Sequence, residues 1–222
     1  MNEPAAPRPA PRRYTSDRGL DRLVFFTDAI SAIAITLLIL PLVDLVPDAA
    51  ADSSGGGFLL EHLPELSSFV ISFAVIARLW YAHHQLFEHV DHYDTGLAFL
   101  SVLWSLTIVV LPLPTAMTSE FSPEPVVIGF YIGTMALSSL LLTSMAVLVN
   151  RRAGLQSAEN PVGPRTLGGS AATTLLFGVA LLVALLVPGV SYWALLLLLV
   201  SGPLGRIITR ALSRGPASRS LD

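Results

Sequence analysis

A carboxylate at Asp28 and a guanidinium at Arg78 each interrupt a long apolar run. Inside hydrocarbon an ionised side chain costs a few kcal/mol or more unless it is paired or hydrated, so both residues need partners. Asp28 closes the segment Arg22-Leu-Val-Phe-Phe26-Thr27-Asp28, which allows a polar cluster at one end of a helix. Arg78 offers planar donors and calls for either a carboxylate or a water-filled crevice. A second group of reactive types follows: His83, His84, His89 and His92 with Glu88 and Asp91. These could ligate a metal, but adjacent His83 and His84 point about 100° apart on a helix, so only one shares a face with Glu88. Histidine-box oxidases draw ligands from several segments, whereas the fifth histidine of this chain, His62, falls on the opposite side. A hydrated helix end is the simpler reading of His89 and His92, and no metal or other cofactor is assigned.

The elements that must position these groups are membrane spans. Hydrophobic residues make up 53% of the 222 and charged residues 13%, outside the usual balance of soluble domains. A spanning helix needs about 20 mostly apolar residues. Six segments qualify, approximately 22–46, 64–88, 96–117, 126–149, 167–187 and 190–211. Their runs are continuous and lack the alternation of lipid-facing strands, so helices are expected rather than a barrel. Pro41 is expected to bend or end the first helix near its far end, and Gly55, Gly56 and Gly57 to make a flexible loop.

All 13 basic residues are arginine. Arg8, Arg12, Arg13, Arg18 and Arg22 precede or open the first span, Arg151, Arg152 and Arg165 flank the fourth loop, and Arg206, Arg210, Arg214 and Arg219 end the chain. In a six-span arrangement these all fall on one side, while Asp44, Asp48, Asp52, Glu61, Glu120 and Glu124 fall on the other. Arginine-rich loops stay cytoplasmic, so both termini are expected there. The expected organisation is a disordered arm at 1–18, an all-α six-helix membrane domain at 19–213 and a disordered tail at 214–222. The Pro- and Arg-rich arm before the first run does not read as a cleavable signal peptide. With no cysteine there are no disulfides or thiolate sites, and a net charge of -3 implies no nucleic-acid partner.

The first span resembles the signature of the transmembrane protein 175 family, endosomal and lysosomal potassium channels and their single-repeat bacterial relatives. That signature is an arginine, three residues, Phe-Ser-Asp, then an Ala-Ile and Thr-Leu-Leu run. Here it reads Arg22, Phe26, Thr27 and Asp28, followed by Ala32-Ile33-Ala34-Ile35-Thr36-Leu37-Leu38, with Thr27 keeping the hydroxyl of the family serine. In the second span Ser72-Phe73, Trp80, His83, His84 and Phe87 are similar to the family arrangement, and Trp80, His84 and Phe87 share a helix face. Leu111-Pro112-Leu113-Pro114-Thr115 resembles the family ending of the third span. The resemblance covers roughly residues 20–117.

It implies a potassium-permeable channel, a homotetramer with its pore lined by the first helix of each subunit, and no carbonyl filter. Ile33, Leu37 and Leu40 fall at i, i+4 and i+7, with Thr36 near the same face, so they could stack as rings forming a hydrophobic gate. Such stripes are commonly ordinary packing or lipid contact, and only the position after the signature favours a pore. Arg22, Phe26, Thr27, Asp28, Trp80 and His84 are read as a network that fixes helices together rather than as an ion path. No phosphate loop, nucleophile elbow or zinc protease motif is present, so no enzyme is expected. The alternatives are a secondary or proton-coupled transporter and, less favoured, a metalloenzyme using the histidine cluster. The expected setting is the plasma membrane of a prokaryote.

Overall fold

The computed structural model describes residues 17–52, 54–122, 124–187 and 194–195. Among the described residues there are eight helices and no strand: α1 (Asp17–Leu37), α2 (Leu40–Asp52), α3 (Gly55–Glu61), α4 (Leu63–Phe87), α5 (Thr95–Val110), α6 (Pro112–Glu120), α7 (Pro125–Arg151) and α8 (Pro164–Leu186). Among the described residues five stretches are long and apolar enough to cross a membrane: Arg18–Pro47, Leu63–Phe87, Thr95–Glu120, Pro125–Arg151 and Pro164–Leu186. The expected sixth span at 190–211 and both expected tails lie outside the described residues, apart from Asp17 and Arg18, which open α1, and the two residues 194–195.

Prolines set most of the boundaries. Pro64, Pro125 and Pro164 each stand in the first two positions of a helix, where a missing N–H costs nothing because no carbonyl awaits it. Two spans are broken in the middle by the same residue type. The first turns at Leu38 and Ile39 before α2, where Pro41 cannot donate to Leu37 and its ring crowds that carbonyl. The third breaks at Leu111, because Pro112 and Pro114 withdraw two donors in succession. The three glycines are not a flexible loop. Gly55, Gly56 and Gly57 open α3, because the Ser54 hydroxyl caps it, accepting from the Gly57 N–H at 3.1 Å.

The helices pack with α7 against both α8 and α5, and with α1 against α5 and α4. Between α7 and α8 runs a ladder of hydroxyls: Ser139 to Thr174 at 2.9 Å, Thr143 to Thr174 at 2.9 Å and Thr143 to Ser170 at 2.7 Å. Small polar residues at such seams let backbones approach and supply about 0.6–2 kcal/mol per bond in hydrocarbon. A second knot joins α4, α6 and α7, where the Ser72 and Tyr131 hydroxyls meet at 2.9 Å and Thr115 donates to Ser72 at 3.1 Å.

One end of the bundle is tied by loops. The Asp91 N–H donates to the Leu155 carbonyl at 3.1 Å and the Ser157 N–H to the His89 carbonyl at 2.9 Å, and Arg152 pairs with Asp94. Asp94 also caps α5 through the Leu97 N–H at 3.0 Å. The start of α1 lies at this same end, since a Cβ on Gly19 would come within 2.7 Å of the Tyr93 hydroxyl. Arg18, Arg22, Arg151, Arg152 and Arg165 are therefore gathered at one end of the bundle, and α2, α3 and the end of α6 lie at the other.

Candidate functional site

The buried side of α1 is a narrow stripe of Thr27, Ser31, Ala34 and Leu38. These sit at i, i+4, i+7 and i+11, the repeat of one helix face, and all but Leu38 are small, which lets α4 and α5 approach closely. Both hydroxyls are satisfied within the helix: Thr27 donates to the Val24 carbonyl at 2.8 Å and Ser31 to the Thr27 carbonyl at 2.9 Å. The opposite face is uncovered. Phe26 is 50% exposed, Ile33 58%, Leu37 42% and Leu40 49%, and Ala29, Ala32 and Thr36 are exposed with them. Thr36 donates its hydroxyl proton to the Ile33 carbonyl at 2.8 Å. Its oxygen is thus left with lone pairs available on the uncovered face.

At the arginine-rich end, one polar contact fixes α1 to α4. The Trp80 indole N–H donates to Asp28 Oδ1 at 2.8 Å, a charge-assisted bond of the strong kind. The His84 ring stacks on Trp80, centroids 5.7 Å apart and planes 21° apart, and its Nε2 stands 3.6 Å from Glu88 Oε1. Asp28, Trp80 and His84 are thus brought together. Arg22 and Phe26 are not, because Arg22 lies six residues before Asp28 and about 120° around the axis, on the exposed side.

Phe87, on the sequence face of Trp80 and His84, packs on His83 instead. His83 is fully buried between Phe87 and Trp104, with ring centroids at 4.4 and 4.2 Å. Neither His83 nitrogen has a hydrogen-bond partner, nor does the Trp104 indole N–H. This stack joins α4 to α5 directly beneath the Trp80 anchor. Trp104 escaped the sequence reading, and its signal was a lone tryptophan amid the small and aliphatic residues of the third span. Among the described residues, no three His, Asp or Glu converge to hold a metal.

Residues 22–112 match the family model for the endosomal/lysosomal potassium channel TMEM175. In that stretch the chain is similar to the TMEM175 family. The TMEM175 stretch runs from Arg22 to the first residue of α6, so it holds the Asp28, Trp80 and His84 cluster, the His83 stack and the whole uncovered face of α1. A potassium channel of Streptomyces collinus is 41% identical over 105 residues, covering 46% of this chain and 49% of that protein. A potassium channel of Chamaesiphon minutus is 31% identical over 135 residues, covering 59% of this chain and 62% of that one. The endosomal/lysosomal proton channel TMEM175 of Mus musculus is 35% identical over 111 residues, covering 47% of this chain and 22% of that protein. The chain therefore spans about half the length of the Streptomyces relative and about a fifth of the mouse one. In fold it is similar to the crystal structure of a lysosomal potassium-selective channel TMEM175 homolog from Chamaesiphon minutus, with a TM-score of 0.60, 22% identity, and coverage of 90% of this chain and 100% of that one.

Proposed function

We propose that this chain is a subunit of a potassium-permeable cation channel, six spans per subunit, whose pore is lined by α1 from several copies. The observation that carries this reading is the division of the first span into a small-residue face buried on α4 and α5 and an uncovered face of Ile33, Thr36 and Leu37 on α1, with Leu40 exposed beyond the break at the start of α2. That face lies within the residues that match the family model for the endosomal/lysosomal potassium channel TMEM175. One helix cannot enclose a pore, so copies meet around an axis, and four is the number the resemblance implies. Rings of Ile33, Leu37 and Leu40 then form a constriction that closes by excluding water, and the Thr36 ring presents hydroxyl oxygens to a partly dehydrated cation.

The remaining elements hold the lining helix. Asp28, Trp80 and His84 act as its anchor, and the arginine-rich end faces the cytoplasm by the positive-inside rule, with both termini on that side. The membrane is the plasma membrane of a prokaryote. A second reading, conduction of protons, is supported by the mouse relative, which is named a proton channel.

Potassium flux into liposomes holding the purified protein tests this. Ile33→Ala, Leu37→Ala and Leu40→Ala should each raise flux, and all three together by about tenfold, equal to a barrier lower by about 1.4 kcal/mol. Unchanged flux in all three, with helix content intact, removes this face from the pore. A pH-sensitive dye in the same vesicles separates proton from potassium movement. Mass measurement in detergent should give four chains, and a stable monomer contradicts an axial pore.

A further inference from the structure

Arg78 stands in the body of α4 on a face that turns toward α7 and α8, away from the proposed pore. There a cavity of about 390 Å³ opens between the three helices, within the range of sites that hold small ligands. Its polar lining includes Arg78, Tyr81, Gln85, Thr166, Ser170 and Thr173, and none of its described lining residues is acidic. A guanidinium among hydroxyls and an amide suits a phosphate rather than a cation. The Gln85 amide donates to the Tyr81 hydroxyl at 3.1 Å, which leaves the tyrosine proton for a ligand.

The position and the rest of the lining narrow the ligand further. Arg78 and Gln85 are seven residues apart on α4, as are Thr166 and Thr173 on α8, a depth of about 10 Å at the helical rise. Gln85 and Thr166 lie near the helix ends that meet the tied loops. The cavity thus begins at the arginine-rich end and reaches about 10 Å into the span. Leu79, Leu86 and Leu142 supply an apolar wall. Arg78, Tyr81 and Gln85 are exposed along its rim, so it opens sideways from the three helices. The wall at Gly169 is open as well, since a Cβ there meets no heavy atom within 4 Å.

We propose that this cavity binds an anionic phospholipid from the leaflet at the arginine-rich end. Its phosphate meets Arg78 and the surrounding hydroxyls, and the first carbons of its chains lie against Leu79, Leu86 and Leu142. Basic pockets between spanning helices on the cytoplasmic side select anionic headgroups in this way. The mixed lining and the lateral opening favour a lipid over a free anion. The proposal does not depend on α1 lining a pore.

The test is native mass spectrometry of the full chain, released from micelles containing phosphatidylglycerol or phosphatidylcholine. The wild-type protein should retain phosphatidylglycerol in preference to phosphatidylcholine, and excess inorganic phosphate should not displace it. Arg78→Gln should weaken retention about fivefold, the worth of one arginine near an anionic surface. Gly169→Leu fills the cavity while keeping every charge and should weaken it by a comparable factor, so it decides the matter should Arg78→Gln fail to fold. Equal retention of the two lipids by the wild type, or undiminished phosphatidylglycerol on a folded variant, overturns the proposal. Displacement by inorganic phosphate assigns the cavity to a free anion and overturns the lipid.

Discussion

The first span, Arg18–Pro47, and α8 each have 22% of their most apolar 18 residues buried, yet they are held in different ways. Hydroxyl contacts at Ser170 and Thr174 fasten α8 to α7 over more than one turn. By contrast, Asp28 and Trp80 tie α1 to α4 near the arginine-rich end, and beyond them α1 packs through Ser31, Ala34 and Leu38. The first arrangement fixes register along a helix. The second ties the helix near one end, which suits the proposed role of its uncovered face as a meeting surface between copies. The break at Leu38 and Ile39 separates the other end of α1 from α2.

The contrast can be broken most severely at the stack beneath the anchor. Trp104→Ala removes a fully buried ring from between α4 and α5 and should cost about 3 kcal/mol, read as a lower unfolding midpoint in mixed micelles. A loss below about 1 kcal/mol would mean the stack does not support the anchor. Asp28→Asn keeps an acceptor for Trp80 but removes its charge, so stability should fall by about 1–2 kcal/mol, the difference between charged and neutral bonds. Ion selectivity should not change, and a clean selectivity change in a normally stable protein would move Asp28 from anchor to ion path. The smallest effect is expected on the other side of the comparison. Thr143→Val cuts two rungs of the ladder and should cost about 1.2 kcal/mol, at the average of about 0.6 kcal/mol per bond, with flux unaltered. A larger effect on flux than that of Asp28→Asn would reverse the roles given to α1 and α8.

Much of this architecture could be read from residue types. Apolar runs marked the five described spans to within a few residues, Pro41 marked the break in the first, and arginine placement grouped the ends that the structure gathers. Hydropathy does not register a proline inside an apolar run as a stop, so the division at Pro112 was harder to see. Nor does periodicity say which of two adjacent histidines turns inward. His83 takes the buried place because Trp104 of another helix lies opposite it, and that depends on how α4 and α5 align. The α7 and α8 ladder and the pairing of Asp94 with Arg152 are likewise products of register and of loops meeting across 58 residues of chain. Arg78 could be read as a need for hydration or a partner, while the cavity beside it belongs to three helices at once.

The central claim is that the uncovered face of α1 faces ions, and it is tested most directly by placing cysteines along it, since the chain has none of its own. Ile33→Cys, Thr36→Cys, Leu37→Cys and Leu40→Cys should each make potassium flux in liposomes sensitive to silver ion, while Val102→Cys and Leu106→Cys, exposed on α5, should not. Silver sensitivity at the α5 positions with none on α1 would contradict the account.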